Sequence, residues 1–267
     1  MKNLGIIIPC YNESDNIINL FDKLSELIKF YTELEIVIVD NYSTDLTVKK
    51  ALQFTKKIIK IKKFTPGKAI NEGIKVSKGN IIVVISAHCI PTNNKWLSNL
   101  IKGLKDKKVA GIYGRQEPMK YTSDIDKRDL LTIFGLDKKV QVKDTFFHNA
   151  NSAFRKEIWN KIPFDEKVTN IEDRIWGENV ISKGYKIIYE PTASVYHFHG
   201  VHQNLNVKRA ESVVKILESL DKFKRKDNFI NHKDLRILAL IPVKGKSITF
   251  EGKPLIEKTL KIAKKSK

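Results

Sequence analysis

Cysteine is almost missing from this chain. Cys10 and Cys89 are the two among 267 residues, which excludes a disulfide framework, and no C-x-x-C pair suggests a zinc knuckle. Both fit a reducing cytoplasm. Long apolar runs are lacking too. Met1-Lys2-Asn3 leads into five apolar or glycine residues before Pro9, too short for the core of a secretory signal. The longest uncharged stretch, 79–94, is interrupted by His88, Pro91 and Asn93-Asn94 and is shorter than a membrane span. A soluble cytoplasmic protein is expected. Arginine is scarce, at seven of 49 basic residues. Sites that grip bases or phosphates bidentately usually use more of it. With no helix-turn-helix and no aromatic ribonucleoprotein-like signature, a nucleic-acid binder is disfavoured.

What the chain has in excess is positive charge. Its 49 Lys and Arg face 30 Asp and Glu, a net of +19. An anionic membrane surface or a phosphorylated substrate would each use such a charge. A Lys- and Ile-rich chain also fits an AT-rich coding sequence. The excess is uneven. Residues 203–267 carry 17 basic and 7 acidic groups, about half of it. A hydrophobic fraction of 42% with 9% aromatics excludes a disordered chain. The length suits one large domain and a remainder.

Strand and helix patterns alternate through the first hundred residues. β-Branched runs at 4–8, 35–39, 58–61, 81–85 and 109–113 read as buried strands. Between them, 13–30, 45–55, 67–77 and 96–104 read as helices, the first with Ile17, Leu20, Phe21, Leu24 and Leu27 at helical spacing. Such alternation implies a mostly parallel sheet covered on both faces. Residues 114–146 read as polar and irregular. Further on, 147–154 reads as a strand and 170–182 as a helix opened by Asn170 and stopped by Gly184. Two strands, 186–189 and 193–197, are separated by Pro191. An amphipathic helix over 205–223, a charged linker to 232 and a strand–loop–helix pattern from 235 complete the chain.

Ligands bind such sheets beyond the carboxyl ends of the strands. Here those ends read Pro9-Cys10-Tyr11-Asn12-Glu13, Asp40-Asn41-Tyr42-Ser43-Thr44-Asp45 and Ser86-Ala87-His88-Cys89-Ile90-Pro91. Asp, Asn and Ser at any one exit read as caps and turns. Carboxylate, hydroxyl and imidazole at three matching exits read as one crevice.

These motifs resemble the family-two inverting glycosyltransferases of the GT-A fold. Gly67-Lys68-Ala69-Ile70-Asn71 resembles the family's basic segment, and Ser86 to Pro91 stands where the family has its metal-binding DxD. Ile171-Glu172-Asp173 with Trp176 and Gly184-Tyr185 resembles the acidic acceptor-side motif. Pro191 to His197 resembles the strand that brings a late histidine to the metal. The resemblance covers residues 1–200. It implies a Rossmann-like GT-A domain over 1–204 with an acceptor-side subregion, followed by a helical extension and linker over 205–234.

The resemblance also implies roles. Pro9, Tyr11, Glu13 and Asp40 line the nucleoside pocket, where a carboxylate accepts from a base imide or ribose hydroxyls. Lys68 supplies a point charge near base or diphosphate, and Asp45 reads first as a helix cap. His88 replaces the last Asp of the DxD and Ser86 the first, so a divalent metal, Mn²⁺ or Mg²⁺, is expected on His88 and His197. Imidazole suits Mn²⁺ better than Mg²⁺. A phosphate contact without metal is the other reading of His88. Asp173 is the expected general base, Glu172 its positioning partner, and Trp176 an acceptor-side residue. For the acids, complementing a helix dipole is the competing structural role.

Residues 235–267 resemble the start of sialic-acid-type cytidylyltransferases, in Leu235 to Ser247 and Gly252 to Leu260. One strand, loop and helix cannot make that enzyme, so a truncated fragment is expected, docking on the first domain or on a second copy of the chain. The expected activity is transfer of a sugar from a nucleotide-sugar donor to a hydroxyl of a glycan or lipid-linked acceptor, in cell-surface polysaccharide assembly. A peripheral contact with anionic lipid at the inner membrane face goes with the basic last quarter. The alternatives are a sugar nucleotidyltransferase, or a nucleotide-sugar- or glycan-binding module without catalysis.

Overall fold

Valine and isoleucine build the centre of the sheet. The strands β1 (Leu4–Cys10), β2 (Leu34–Asp40), β3 (Ile58–Lys60) and β4 (Ile81–Ile85) are β-branched runs. All four run parallel, in the order β3-β2-β1-β4. The computed structural model describes residues 3–31 and 33–198, and helical residues at 207, 208, 211, 212, 215 and 216. The chain divides into two compact units, Met1–Val201 and His202–Lys267. The six helical residues of the second unit fall within the helix expected over 205–223. The expected linker and the cytidylyltransferase-like fragment lie outside the described residues.

Beyond β4 the sheet continues through β8 (Asn151–Arg155), β6 (Val109–Pro118), β9 (Lys186–His197) and β5 (Cys89–Pro91), with β7 (Lys139–Gln141) on the other side of β9. Six of the nine strands point one way; β5, β7 and β8 are antiparallel to their neighbours. The expected mostly parallel α/β sheet is therefore what the chain forms. Alternate strand residues feed two cores. On one face Ile6, Ile8, Ile38 and Val83 pack with α1 (Ser14–Ile28), α2 (Thr47–Ala51) and α4 (Trp96–Lys102). On the other, Ile7, Val37, Val39 and Val84 pack with α3 (Pro66–Val76), α5 (Asp124–Ile133), α6 (Lys156–Lys161) and α7 (Glu172–Ser182). Covering both faces explains why these strands read as unbroken apolar runs.

Several elements differ from the sequence expectation. The two strands placed around Pro191 are one strand, β9, whose pairing with β6 slips between Gly114 and Gln116, opposite Glu190 and Val195. Pro191 sits in that bulge, where a missing N–H costs no ladder bond. The region read as irregular contains α5, capped by Ser123, whose side chain accepts from the Asp126 backbone N–H at 3.2 Å. The strand expected over 147–154 begins only at Asn151. Residues 147–150 are left as a loop that reaches the site.

Candidate active site

The ends of β1 and β2 are laced together by backbone and side-chain bonds. Cys10 pairs with Asp40, and the Asn41 N–H donates to the Cys10 carbonyl at 3.0 Å. Asn12, at φ 53°, accepts the Thr44 N–H on Oδ1 at 2.8 Å, while its own N–H donates to Ser43 Oγ at 2.9 Å. Asp45 accepts from the Ser14 N–H at 3.1 Å and from the Thr47 N–H at 2.9 Å, tying the starts of α1 and α2 to one carboxylate. Asp45 is the N-cap of neither helix, since Glu13 and Leu46 hold those positions, but its carboxylate joins their first turns.

Asp40 is expected in the nucleoside pocket, yet it has no exposed surface. Both its oxygens accept the Ser43 N–H at 3.2 Å. Those bonds shape the 41–43 turn. Pro9 is half-buried in β1, and Tyr11 is 54% exposed just beyond it. Burial and the Asp40 carboxylate push the Cys10 thiol up to about 12, and burial raises Cys89 as well, so neither is a thiolate nucleophile at neutral pH.

Glu13 turns toward an imidazole. Its Oε1 lies 2.7 Å from His88 Nδ1, and its Oε2 accepts from Asn16 at 2.8 Å. The His88 ring stacks on His197, with centroids 5.1 Å apart and planes 12° from parallel. The sheet makes this meeting: Cys89 pairs with His197 across β5 and β9. A carboxylate against Nδ1 is the arrangement that orients metal-binding imidazoles. No group of three or more His, Cys, Asp or Glu among the described residues forms a metal cage. Two imidazoles, one of them carboxylate-oriented, fit a partial donor set completed by oxygens of a ligand.

Lys68 stands in the first turn of α3. Its N–H donates to Thr65 Oγ1 at 3.3 Å and its Nζ to the Lys62 carbonyl at 3.1 Å, away from the carboxylates above. The turn is close-packed at Gly67, where a Cβ would lie 2.1 Å from the Asp165 carbonyl oxygen.

The acid pair opens α7. Glu172 is buried and accepts from Asn149 Nδ2 at 3.1 Å. Asp173 is half-buried; it accepts the Asn149 N–H at 3.2 Å and the Arg174 N–H at 2.8 Å. Asn149 thus holds both acids, a partner the sequence did not reveal. The residue before them, Ile171, has φ 58° and caps the helix without a side-chain bond. Asn170 is therefore not the cap expected from the sequence. Left-handed backbone at a β-branched residue is strained, and such strain clusters at functional sites. Trp176 is a correction. It is fully buried among Phe147, Phe154 and Phe164, its Nε1 donating to the Ile162 carbonyl at 2.8 Å, and it presents nothing to an acceptor.

The exits of β1, β2 and β4, the entry to β8 and the end of β9 lie at one edge of the sheet. Residues 5–162 match the family model described as "Glycosyl transferase family 2". The chain belongs to glycosyl transferase family 2. It is 26% identical over 216 residues to the O-antigen chain rhamnosyltransferase WbaN of Salmonella anatum, covering 74% of this chain and 67% of that protein. It is 26% identical over 237 residues to the poly(ribitol-phosphate) beta-glucosyltransferase of Bacillus spizizenii, covering 81% of this chain but 36% of the relative. Among solved structures, the mannosyltransferase PcManGT from Pyrobaculum calidifontis, in complex with GDP-Man and Mn²⁺, superposes with a TM-score of 0.67 at 18% identity, over 100% of this chain and 76% of that one. S. aureus TarS 1-349 with UDP-GlcNAc gives 0.60 at 16% identity, over 89% and 79%. These neighbours establish the GT-A fold. The cytidylyltransferase likeness of residues 235–267 rests on the sequence alone.

Proposed function

We propose that this family-two chain catalyses an inverting transfer with Asp173 as the general base. The observation that carries the reading is the held carboxylate at the start of α7. Two backbone N–H groups fix Asp173, and Asn149 joins it to Glu172, on the sheet edge that also bears the β1 and β2 exits. An acceptor hydroxyl there gives its proton to Asp173 while its oxygen attacks the anomeric carbon. The bond from that carbon to the nucleoside diphosphate breaks from the opposite face, and the diphosphate departs with the electron pair.

His88, oriented by Glu13, and His197 are the residues that would hold a divalent ion. Nitrogen donors favour Mn²⁺ over Mg²⁺. Bound there, the ion would neutralise the leaving diphosphate. Relatives named for O-antigen and poly(ribitol-phosphate) transfer support a cell-surface polymer as the setting, with a glycan or lipid-linked acceptor. Catalysis would then run at the cytoplasmic membrane face, with the basic last quarter against anionic lipid. No helix among the described residues is long and apolar enough to cross a membrane.

A thermal-shift screen of UDP-, GDP-, dTDP- and CMP-sugars, with and without Mn²⁺, identifies the donor. With that donor, Asp173→Asn lowers the transfer rate by about 100- to 10,000-fold and leaves donor affinity unchanged. Transfer near the wild-type rate would remove Asp173 as the base. A wild-type shift that ignores Mn²⁺ for every donor would remove the metal.

A further inference from the structure

The far edge of the sheet, away from the imidazoles and the acid pair, bears a cavity of about 510 Å³. It lies where β4 begins and β8 ends: Ile81 pairs with Arg155 there, and Ile85 with Asn151 at the other edge. Four residue steps separate the two edges, about 13 Å of strand. Three cations line the cavity, Lys78, Arg155 and Lys156, together with the amides of Asn80 and Asn160. Glu157 is the one carboxylate of the lining, and Ile81 adds an apolar patch. Two of the cations stand in costly places. Arg155 is 6% exposed. Its guanidinium donates to the carbonyls of Leu104, Asp106 and Val109, which satisfy N–H groups but carry no net charge. The carboxylate it meets is that of Glu157, 3.9 Å from Nε and 68% exposed, a pairing that water screens. A buried cation without a close counter-charge is destabilising. Lys156 is half-buried, with its Nζ donating to the Ser77 carbonyl. Burial pushes its pKa down; Glu35 opposes that and Lys57 adds to it. Glu35 is itself engaged, by Lys57 Nζ at 2.6 Å and by the Lys78 and Gly79 N–H groups.

We propose that this cavity is a second ligand site, which takes a phosphorylated small molecule about the size of a sugar phosphate. Phosphate oxygens accept from guanidinium, ammonium and amide groups alike. Their charge offsets the positive excess that Glu157 leaves unmatched. Orthophosphate alone underfills the space, whereas cavities of about 300–1,000 Å³ hold whole small molecules. Ile81 and the carbon stem of Lys156 suit the less polar part of such a ligand. The site is separate from the transfer reaction, since none of its residues belongs to the edge that bears Asp173 and His88. It stands or falls without regard to which residue is the base.

The test uses the full chain without added metal and three probes: glucose 1-phosphate, inorganic phosphate and, as the uncharged control, glucose. Affinity is read by calorimetry at low salt and stability by thermal unfolding. Glucose 1-phosphate binds and raises the Tm, and glucose does neither. Lys78→Glu with Asn160→Asp brings two carboxylates to the cavity from exposed positions and weakens that binding about 10-fold or more. Lys49→Glu, at an exposed cation of α2, leaves it within about twofold. Should the double variant fail to fold, Lys78→Gln serves instead and weakens binding about threefold. No binding of glucose 1-phosphate by the wild type overturns the proposal, as does equal binding of glucose. Unchanged binding in the cavity variants overturns it too, and an equal loss in Lys49→Glu does so by showing a diffuse effect of charge. Loss in His88→Ala, with the cavity variants unaffected, assigns the phosphate to the imidazole edge and overturns it. Inorganic phosphate binding as tightly as glucose 1-phosphate overturns the sugar-phosphate assignment.

Discussion

The indole of Trp176 packs on three phenylalanines, and its one polar atom is spent on the Ile162 carbonyl. Trp176→Ala empties that space and is expected to cost about 3–5 kcal/mol, read as a lower urea midpoint. The folded fraction, assayed well below its Tm, should keep its KM for acceptor. A selective rise in that KM would restore Trp176 to the acceptor side. The sequence suggested the wrong place because a tryptophan near an acid pair looks alike whether it turns outward or inward. Glu172 and Asp173 were legible, since charge at a helix start is visible in one dimension. Asn149 was not. It meets the acids only because the strand expected from 147 begins at Asn151, and no periodicity signals that delay.

At the scale of elements, α7 ends as the sequence implied. Gly184 has φ 80°; its N–H donates to the Ile181 carbonyl at 2.9 Å, and the Tyr185 N–H to the Val180 carbonyl at 3.1 Å. This double closure requires a left-handed residue. A Cβ added there meets nothing within 4 Å, so Gly184→Ala isolates the backbone term. It is expected to cost about 1 kcal/mol in denaturant unfolding with donor affinity unchanged. A loss below about 0.3 kcal/mol would mean that the turn relaxes. The parallel core was equally legible, because strands buried on both faces leave unbroken Val and Ile runs. α5 was hidden by its charges: Asp126 and Asp129 are buried, against the usual code for an amphipathic face. The Ser123-to-Asp126 spacing was its one local signal. β5 and β7, three residues each, exist because β9 offers them an edge.

Over the whole molecule, charge divides more sharply than structure does. About half of the +19 lies after residue 202, beyond every residue assigned to the site. Each lysine near an anionic surface contributes about 1 kcal/mol, within a Debye length of about 10 Å at 0.1 M salt. The chain should co-sediment with phosphatidylserine vesicles at low salt and be released by high salt. Lys261→Glu with Lys264→Glu and Lys265→Glu should weaken that binding without changing donor affinity. Vesicle binding that ignores both salt and these substitutions would remove the electrostatic contact. The pairing of β5 with β9 carries one more consequence. His88 waits for a partner strand that is synthesised long after it, and β7 waits for the same strand. During translation the parallel strands β1 to β4 can pair early, while the two imidazoles meet only when β9 arrives. The growing chain therefore passes through a stage with its four parallel strands able to pair and half of its imidazole pair missing, and β9 is the strand that completes the pair.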